Sequence, residues 1–132
     1  MRFRVRPGGY ALVSLPVSRA EGYGEFLPGI ARSFAQVVSE PGSVTLLLPE
    51  RRLPKGLRKG RGCRIRRGFR VISFESPLEW TVVGFLARVA GALAEAGVPI
   101  GVVCSFDFDH VFVPARRLGR ARRAIARALR LP

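Results

Sequence analysis

A chain of 132 residues, 48% of them hydrophobic, is long enough to bury a core as one compact unit or as two interleaved half-size modules. Twenty-three basic residues against nine acids give a formal charge of +14, and the composition excludes a disordered or low-complexity chain. Arg2, Arg4 and Arg6 lead into Pro7 and two glycines instead of an apolar run, which reads against a secretory leader. The most apolar window, Val82 to Cys104, carries Arg88, Glu95 and Pro99, which reads against a membrane span. The expected location is cytoplasmic. Cys63 and Cys104 are too few and too far apart for a metal knuckle or a redox pair, so neither metal nor cofactor is expected.

In chain order, Phe3, Val5 and then Tyr10 to Leu15 read as strands around the turn Pro7-Gly8-Gly9, with Pro16 closing the second. Residues 17–24 read as loop, and Pro28 and Gly29 limit Glu25 to Arg32 to a short helix at best. Ser33 to Val38 and Ser43 to Leu48 flank Glu40-Pro41-Gly42, a spacing that predicts a hairpin with a type II turn. Arg51 to Gly62 is the expected linker, because Pro54, Gly56, Gly60 and Gly62 break any periodicity and like charges repel. Cys63 to Phe74 has a strand pattern with a slip near Gly68, read as a bulge or turn.

The stretch Trp80 to Pro114 organises the rest. Val82, Leu86, Val89, Leu93 and Ala96 recur at steps of four and three and predict one apolar helix face, ended by Gly97 and Pro99. Ser76, in the order Ser76-Pro77-Leu78-Glu79, and Thr81 are the rival helix caps. Ile100 to Phe106 reads as a buried strand, Asp107 and Asp109 interrupt it, and Val111 to Val113 resumes as its partner. Leu118, Ala121, Ile125, Ala128 and Leu129 stripe a last helix whose other side is arginine. Residues 69–129 thus run strand, helix, strand, strand, helix, the ferredoxin-like order short of one strand.

The charge is unevenly spread. Residues 51–70 hold ten basic side chains and no acid, and residues 116–130 hold seven and no acid. Between them, Glu75, Glu79, Glu95, Asp107 and Asp109 face Arg88 alone, five acids against one base for a net of minus four. The basic segments admit two readings. One is a polyanion surface using Arg51, Arg52, Lys55, Arg58, Lys59, Arg61, Arg120, Arg123 and Arg127, as in an RNA-binding or ribosome-associated module. The other is ordinary solvated surface, favoured by the lack of interleaved aromatics over 51–68 and by a skew of 21 arginines to two lysines.

Gly84-Phe85-Leu86, Leu93 to Ile100 and Cys104-Ser105-Phe106-x-x-Asp109-x-x-x-Val113 resemble an ACT-domain signature. They are most similar to small proteins made of two ACT-like modules and related to the cytosolic arginine sensor. Cys104 and Ser105 stand where that pattern usually has Ser and Thr, while Asp109 matches its aspartate. The resemblance covers residues 69–118 well, and Gly9 to Pro16 and Phe34 to Pro49 weakly. It implies an α+β, ferredoxin-like tandem: residues 1–62 as a reduced, β-rich N-terminal module including the basic linker 51–62, and residues 63–132 as an ACT domain. The N-terminal strands are available to complete the second module, and an unpaired sheet edge invites a homodimer.

No catalytic constellation stands out. His110 is the lone histidine, Glu75 and Glu79 lack a nucleophile or metal ligands beside them, and Gly56, Gly60 and Gly62 lack the lysine of a phosphate loop. The expectation is a non-enzymatic regulatory or sensor protein. In the resemblance, the ligand lies between the loop opening the first helix and the turn after the second strand. That implies Glu75, Trp80, Val83 and Gly84 from one and Ser105, Phe106, Asp107 and Asp109 from the other. The acids there suit an ammonium or guanidinium, hence an amino acid such as arginine or lysine, with a protein partner receiving the signal.

Overall fold

The computed structural model describes residues 2–16, 30–53, 62–77 and 79–130. Of the sequence expectations, the loop at 17–24, the helix-breaking Pro28 and Gly29, and linker residues 54–61 lie outside them. Two compact units divide the chain: Gly8–Gly68, and Met1–Pro7 together with Phe69–Pro132. These limits differ from a single division after residue 62.

The unit Gly8–Gly68 is built on strands β2 (Tyr10–Pro16), β3 (Gln36–Glu40), β4 (Ser43–Pro49) and the first part of β5 (Arg64–Phe74), in the order β3-β4-β2-β5. Period-two alternation places Ala11, Val13 and Leu15 against Leu46, Leu48, Cys63 and Ile65 in one core. The β3–β4 hairpin forms as expected, with Glu40 paired to Ser43 across Pro41-Gly42. Its turn is not type II, because that turn needs a positive φ at its second central residue and Gly42 does not adopt one. β5 continues through Gly68, whose φ of 82° resolves the irregularity in the sequence pattern. The Gly68 amide donates to Glu50 Oε1 at 2.7 Å, and the Glu50 amide donates to the Gly9 carbonyl at 3.0 Å.

The second unit contains β1 (Phe3–Val5), the remainder of β5, helix α1 (Phe85–Glu95), β6 (Gly101–Cys104), β7 (Asp109–Pro114) and, after a 3-10 turn at Ala115–Arg117, helix α2 (Leu118–Arg130). β5 pairs antiparallel with β7, β7 with β6, and β1 with β5 in the register Phe3↔Phe74. The N-terminal strand therefore supplies the one that the ferredoxin-like order lacked. Ile72, Phe74, Val111 and Val113 form the core with Val89 and Leu93 of α1 and Ala121 and Ile125 of α2. Phe74 and Phe85 meet edge-on at 5.1 Å between ring centres.

Three local expectations are corrected. α1 starts at Phe85, with Gly84 at φ 90° as its cap and no side chain capping it, so neither Ser76 nor Thr81 does so. Val82, half exposed, precedes the helix and leaves the core face to Val89 and Leu93. β6 ends at Cys104 instead of Phe106, because the Ser105 amide and hydroxyl both donate to the Phe108 carbonyl (2.9 and 3.1 Å) while Ser105 Oγ accepts from the Phe108 amide (3.3 Å), closing a turn. The end of α1 follows expectation. Gly97 takes φ 71°, its amide donates to the Ala94 carbonyl and that of Val98 to the Leu93 carbonyl, a Schellman ending. Arg117 and Arg120 of the following segment donate to the carbonyls of Gly97 and Ala96, where cations suit a helix C-terminus.

Candidate functional site

A cleft of about 330 Å³ opens between the segment leading into α1 and the β6–β7 turn. Six of the expected residues line it: Trp80, Gly84, Ser105, Phe106, Asp107 and Asp109. Gly84, in the left-handed region with nothing near its missing Cβ, turns the chain so that the first residues of α1 face the cleft. The first-turn amides of an α-helix lack intrahelical acceptors, and among the described residues no side-chain hydrogen bond caps this helix start. The tied Ser105–Phe108 turn carries Phe106 and Asp107 on the other side. Trp80 and Phe106, each 99% exposed, form the rim.

Two expected residues fall elsewhere. Glu75 is absent from the lining and sits beside Arg2 (3.9 Å) and Arg4 (4.0 Å), its amide donating to the Arg2 carbonyl. The arrival of β1 next to β5 explains this, since the strand brings its arginines to the end of the ladder. Val83 is 95% exposed and also outside the lining. Glu79, Val82, Phe85, Leu86, Ala87 and Cys104 line the cleft unforeseen. Placing the helix start after Gly84 would have identified Phe85 to Ala87.

Electrostatically the cleft is acidic: Glu79, Asp107 and Asp109 line it, and the described lining has no Lys or Arg. The Cys104 thiol is pushed above its ordinary value by burial, then by donating to Asp109 and by that carboxylate's charge. It remains a neutral thiol near pH 7, unsuited to nucleophilic work. His110 lies outside the lining. It is buried on the sheet face away from the helices, its Nδ1 2.8 Å from Ser73 Oγ, which accepts from Arg6 Nε at 2.7 Å. Burial and the nearby Arg6 charge lower its pKa to about 4, against a smaller opposing effect of Asp109. It is a neutral interior group held in a polar cluster.

The residues of the polyanion reading are dispersed between the units. Arg51 and Arg52 occupy an exposed 3-10 turn, Glu50–Arg52, in the Gly8–Gly68 unit. Arg120, Arg123 and Arg127 lie on α2, in the other unit. Lys55, Arg58, Lys59 and Arg61 lie outside the described residues. Among the described residues no group of three or more His, Cys, Asp or Glu is placed to hold a metal ion, and no helix is long and apolar enough to cross a membrane.

A family model described as ACT domain matches residues 64–127. No curated protein matches the chain. Among solved structures, a protein of Agrobacterium tumefaciens is 23% identical, with a TM-score of 0.75 over 96% of this chain and 87% of that one. A Vibrio cholerae protein of unknown function is 22% identical, with a TM-score of 0.70 over 93% and 85%. The regulatory subunit of aspartate kinase from Thermus thermophilus is 15% identical, with a TM-score of 0.68 over 97% of both chains. At these identities the structural likenesses speak for the fold, and the matched segment speaks for the family. The chain has the α+β, ferredoxin-like fold of a tandem of ACT-like modules, and its residues 64–127 match the ACT-domain family model.

Proposed function

We propose that this chain is a non-enzymatic, cytoplasmic regulatory or sensor protein that binds an amino acid with a cationic side chain, arginine or lysine, in the cleft beside α1, and transmits this to a protein partner. The observation that carries the reading is the composition of the cleft. Uncapped helix amides at Phe85 to Ala87 suit the ligand's carboxylate, while Glu79, Asp107 and Asp109 suit its ammonium or guanidinium. Trp80 and Phe106 supply faces on which a guanidinium packs. β6, at the end of the strand order, leaves an edge that supports a homodimer.

Thermal denaturation with each of the twenty amino acids tests the proposal. A ligand at a hundred times its dissociation constant stabilises by about 2.7 kcal/mol, a shift of several degrees in a chain of this size. Arginine or lysine is expected to give the largest shift; no shift with any amino acid at millimolar concentration refutes the reading.

A second reading draws on α2. Arg116 in the preceding turn, with Arg120, Arg123, Arg127 and Arg130, recurs at steps of four and three along one side of the helix. Such a stripe suits the phosphates of RNA. That reading requires log affinity to fall with log salt at a slope near −0.7 per phosphate on single strands. Failure to retain RNA at moderate ionic strength leaves the stripe as solvated surface.

A further inference from the structure

The Gly8–Gly68 unit carries a second concavity, of about 170 Å³, on the sheet face opposite the Ala11, Val13 and Leu15 core. It is lined by Leu12 and Ser14 of β2, Ser43 and Thr45 of β4, Arg64 and Arg66 of β5, and Glu40 at the end of β3. Alternation explains the placement. Ala11, Val13, Leu15, Val44, Leu46 and Ile65 pack on the core side, so the residues between them are turned outward. Ser14 and Thr45 are direct cross-strand partners, as are Glu40 and Ser43. Two arginines two apart on β5 share a face, Ser14 stands on the adjacent β2, and Ser43 and Thr45 stand on β4 beyond it.

These side chains are uncommitted. Among the described residues, Ser14, Ser43, Thr45, Arg64 and Arg66 make no side-chain hydrogen bond or ion pair, and Glu40 does not pair with either arginine although it lines the same concavity. A sheet face needs no such grouping for solubility, since isolated charges suffice. We propose that this face is a binding site for a small phosphomonoester that also carries an ammonium or hydroxyl donor. Two guanidiniums match the paired oxygens of a phosphate, hydroxyl donors satisfy the remaining lone pairs, and Glu40 accepts from the ligand's own donor. Glu40 also sets the size class. A nucleic-acid strand lying across the site would bring a phosphate against that carboxylate, whereas a compact monoester presents its donor there. The proposal is independent of the cleft beside α1, which belongs to the other unit.

The test is calorimetric titration of the full chain, at constant ionic strength, with inorganic phosphate and with O-phosphoethanolamine. One-to-one binding is expected, tighter for O-phosphoethanolamine. Arg64→Ala or Arg66→Ala should weaken it about tenfold or more, the loss of a charge-assisted hydrogen bond. Arg66→Lys should lose most of the same affinity, because a point charge does not replace a bidentate fork. Glu40→Gln should abolish the preference for O-phosphoethanolamine over phosphate. Arg123→Ala on α2 should leave both affinities unchanged. Amide shifts of Ser14 and Thr45 on titration, read by NMR on each folded variant, locate the site independently. Absence of binding at millimolar phosphate overturns the proposal. So does an equal loss in the Arg123→Ala variant, which would mark diffuse attraction to a basic protein, or displacement of O-phosphoethanolamine by oligonucleotide at lower concentration than by phosphate.

Discussion

Asp109 is the residue on which the cleft can be most sharply tested. It opens β7 opposite Cys104, lines the cleft and accepts from the Cys104 thiol. Asp109→Asn keeps the shape and removes the charge. Loss of one charge-assisted hydrogen bond to a cationic ligand is worth about 1.5–3 kcal/mol, or about 10- to 150-fold in affinity. The same change acts on the free protein. Two of the three influences that raise the Cys104 thiol come from Asp109, and burial alone remains in the variant. Its reaction with a thiol reagent should therefore set in at lower pH, while Cys63, buried in the other unit's core, contributes little to that signal. Among the described residues Asp109 makes no ion pair, so thermal stability should change little. Calorimetry with arginine or lysine, thiol kinetics against pH and a melting curve together decide the matter. An Asp109→Asn variant that binds as before but melts well below the parent would make Asp109 a structural residue and refute the cation site.

Three further outcomes are expected. The His110 pKa falls from 6.5 unfolded to about 4 folded, so the folded state favours the neutral ring: stability is full above pH 6.5 and declines as pH falls toward 4. The integrated loss is about 3 kcal/mol, and chemical denaturation across that window should show a shallower decline in His110→Gln. Glu75→Gln removes ion pairs whose side chains are 37% to 90% exposed, so it should change stability by less than about 1 kcal/mol and leave ligand affinity unaltered. At Gly101, an added Cβ would overlap the Phe112 ring laid across it on the neighbouring strand, so Gly101→Ala should destabilise by roughly 1–3 kcal/mol, and Phe112→Leu should recover part of that. Equal stability of Gly101→Ala and the parent would show that the ring moves freely.

Much of the fold was legible because burial imposes a period. Ala11, Val13 and Leu15 alternate inward, Val89 and Leu93 recur along α1, and both cores are made of residues that such patterns select. Where the sequence misled, a short-range geometry overrode the pattern. Val82 fits the helical spacing, yet the left-handed turn at Gly84 removes it from the helix; Phe106 has the character of a strand residue, yet the Ser105 hydroxyl closes a turn beneath it. The cleft was legible in part for the same reason. Gly84 and Asp109 follow from the motif and Trp80 from the loop opening the helix, whereas neither marked Glu79 or Cys104 as lining. Glu75 falls outside the cleft lining, beside Arg2 and Arg4, which lie some seventy residues earlier in the chain, beyond what local pattern reports.

The pairing of β1 with β5 makes one unit discontinuous: Gly8–Gly68 is inserted between Met1–Pro7 and Phe69–Pro132. No single scission of the chain releases two complete units. Cutting near residue 68 strands β1 on the wrong fragment and leaves a bare ladder edge on the other. During synthesis β1 must wait for β5, its partner at Phe74 lying far downstream of Phe3, while the inserted unit can close earlier from its own local hairpin. A permuted chain that begins at Gly8 and rejoins Met1–Pro7 after Pro132 would remove that wait by making both units contiguous, and it asks whether the insertion serves folding or only connects the modules.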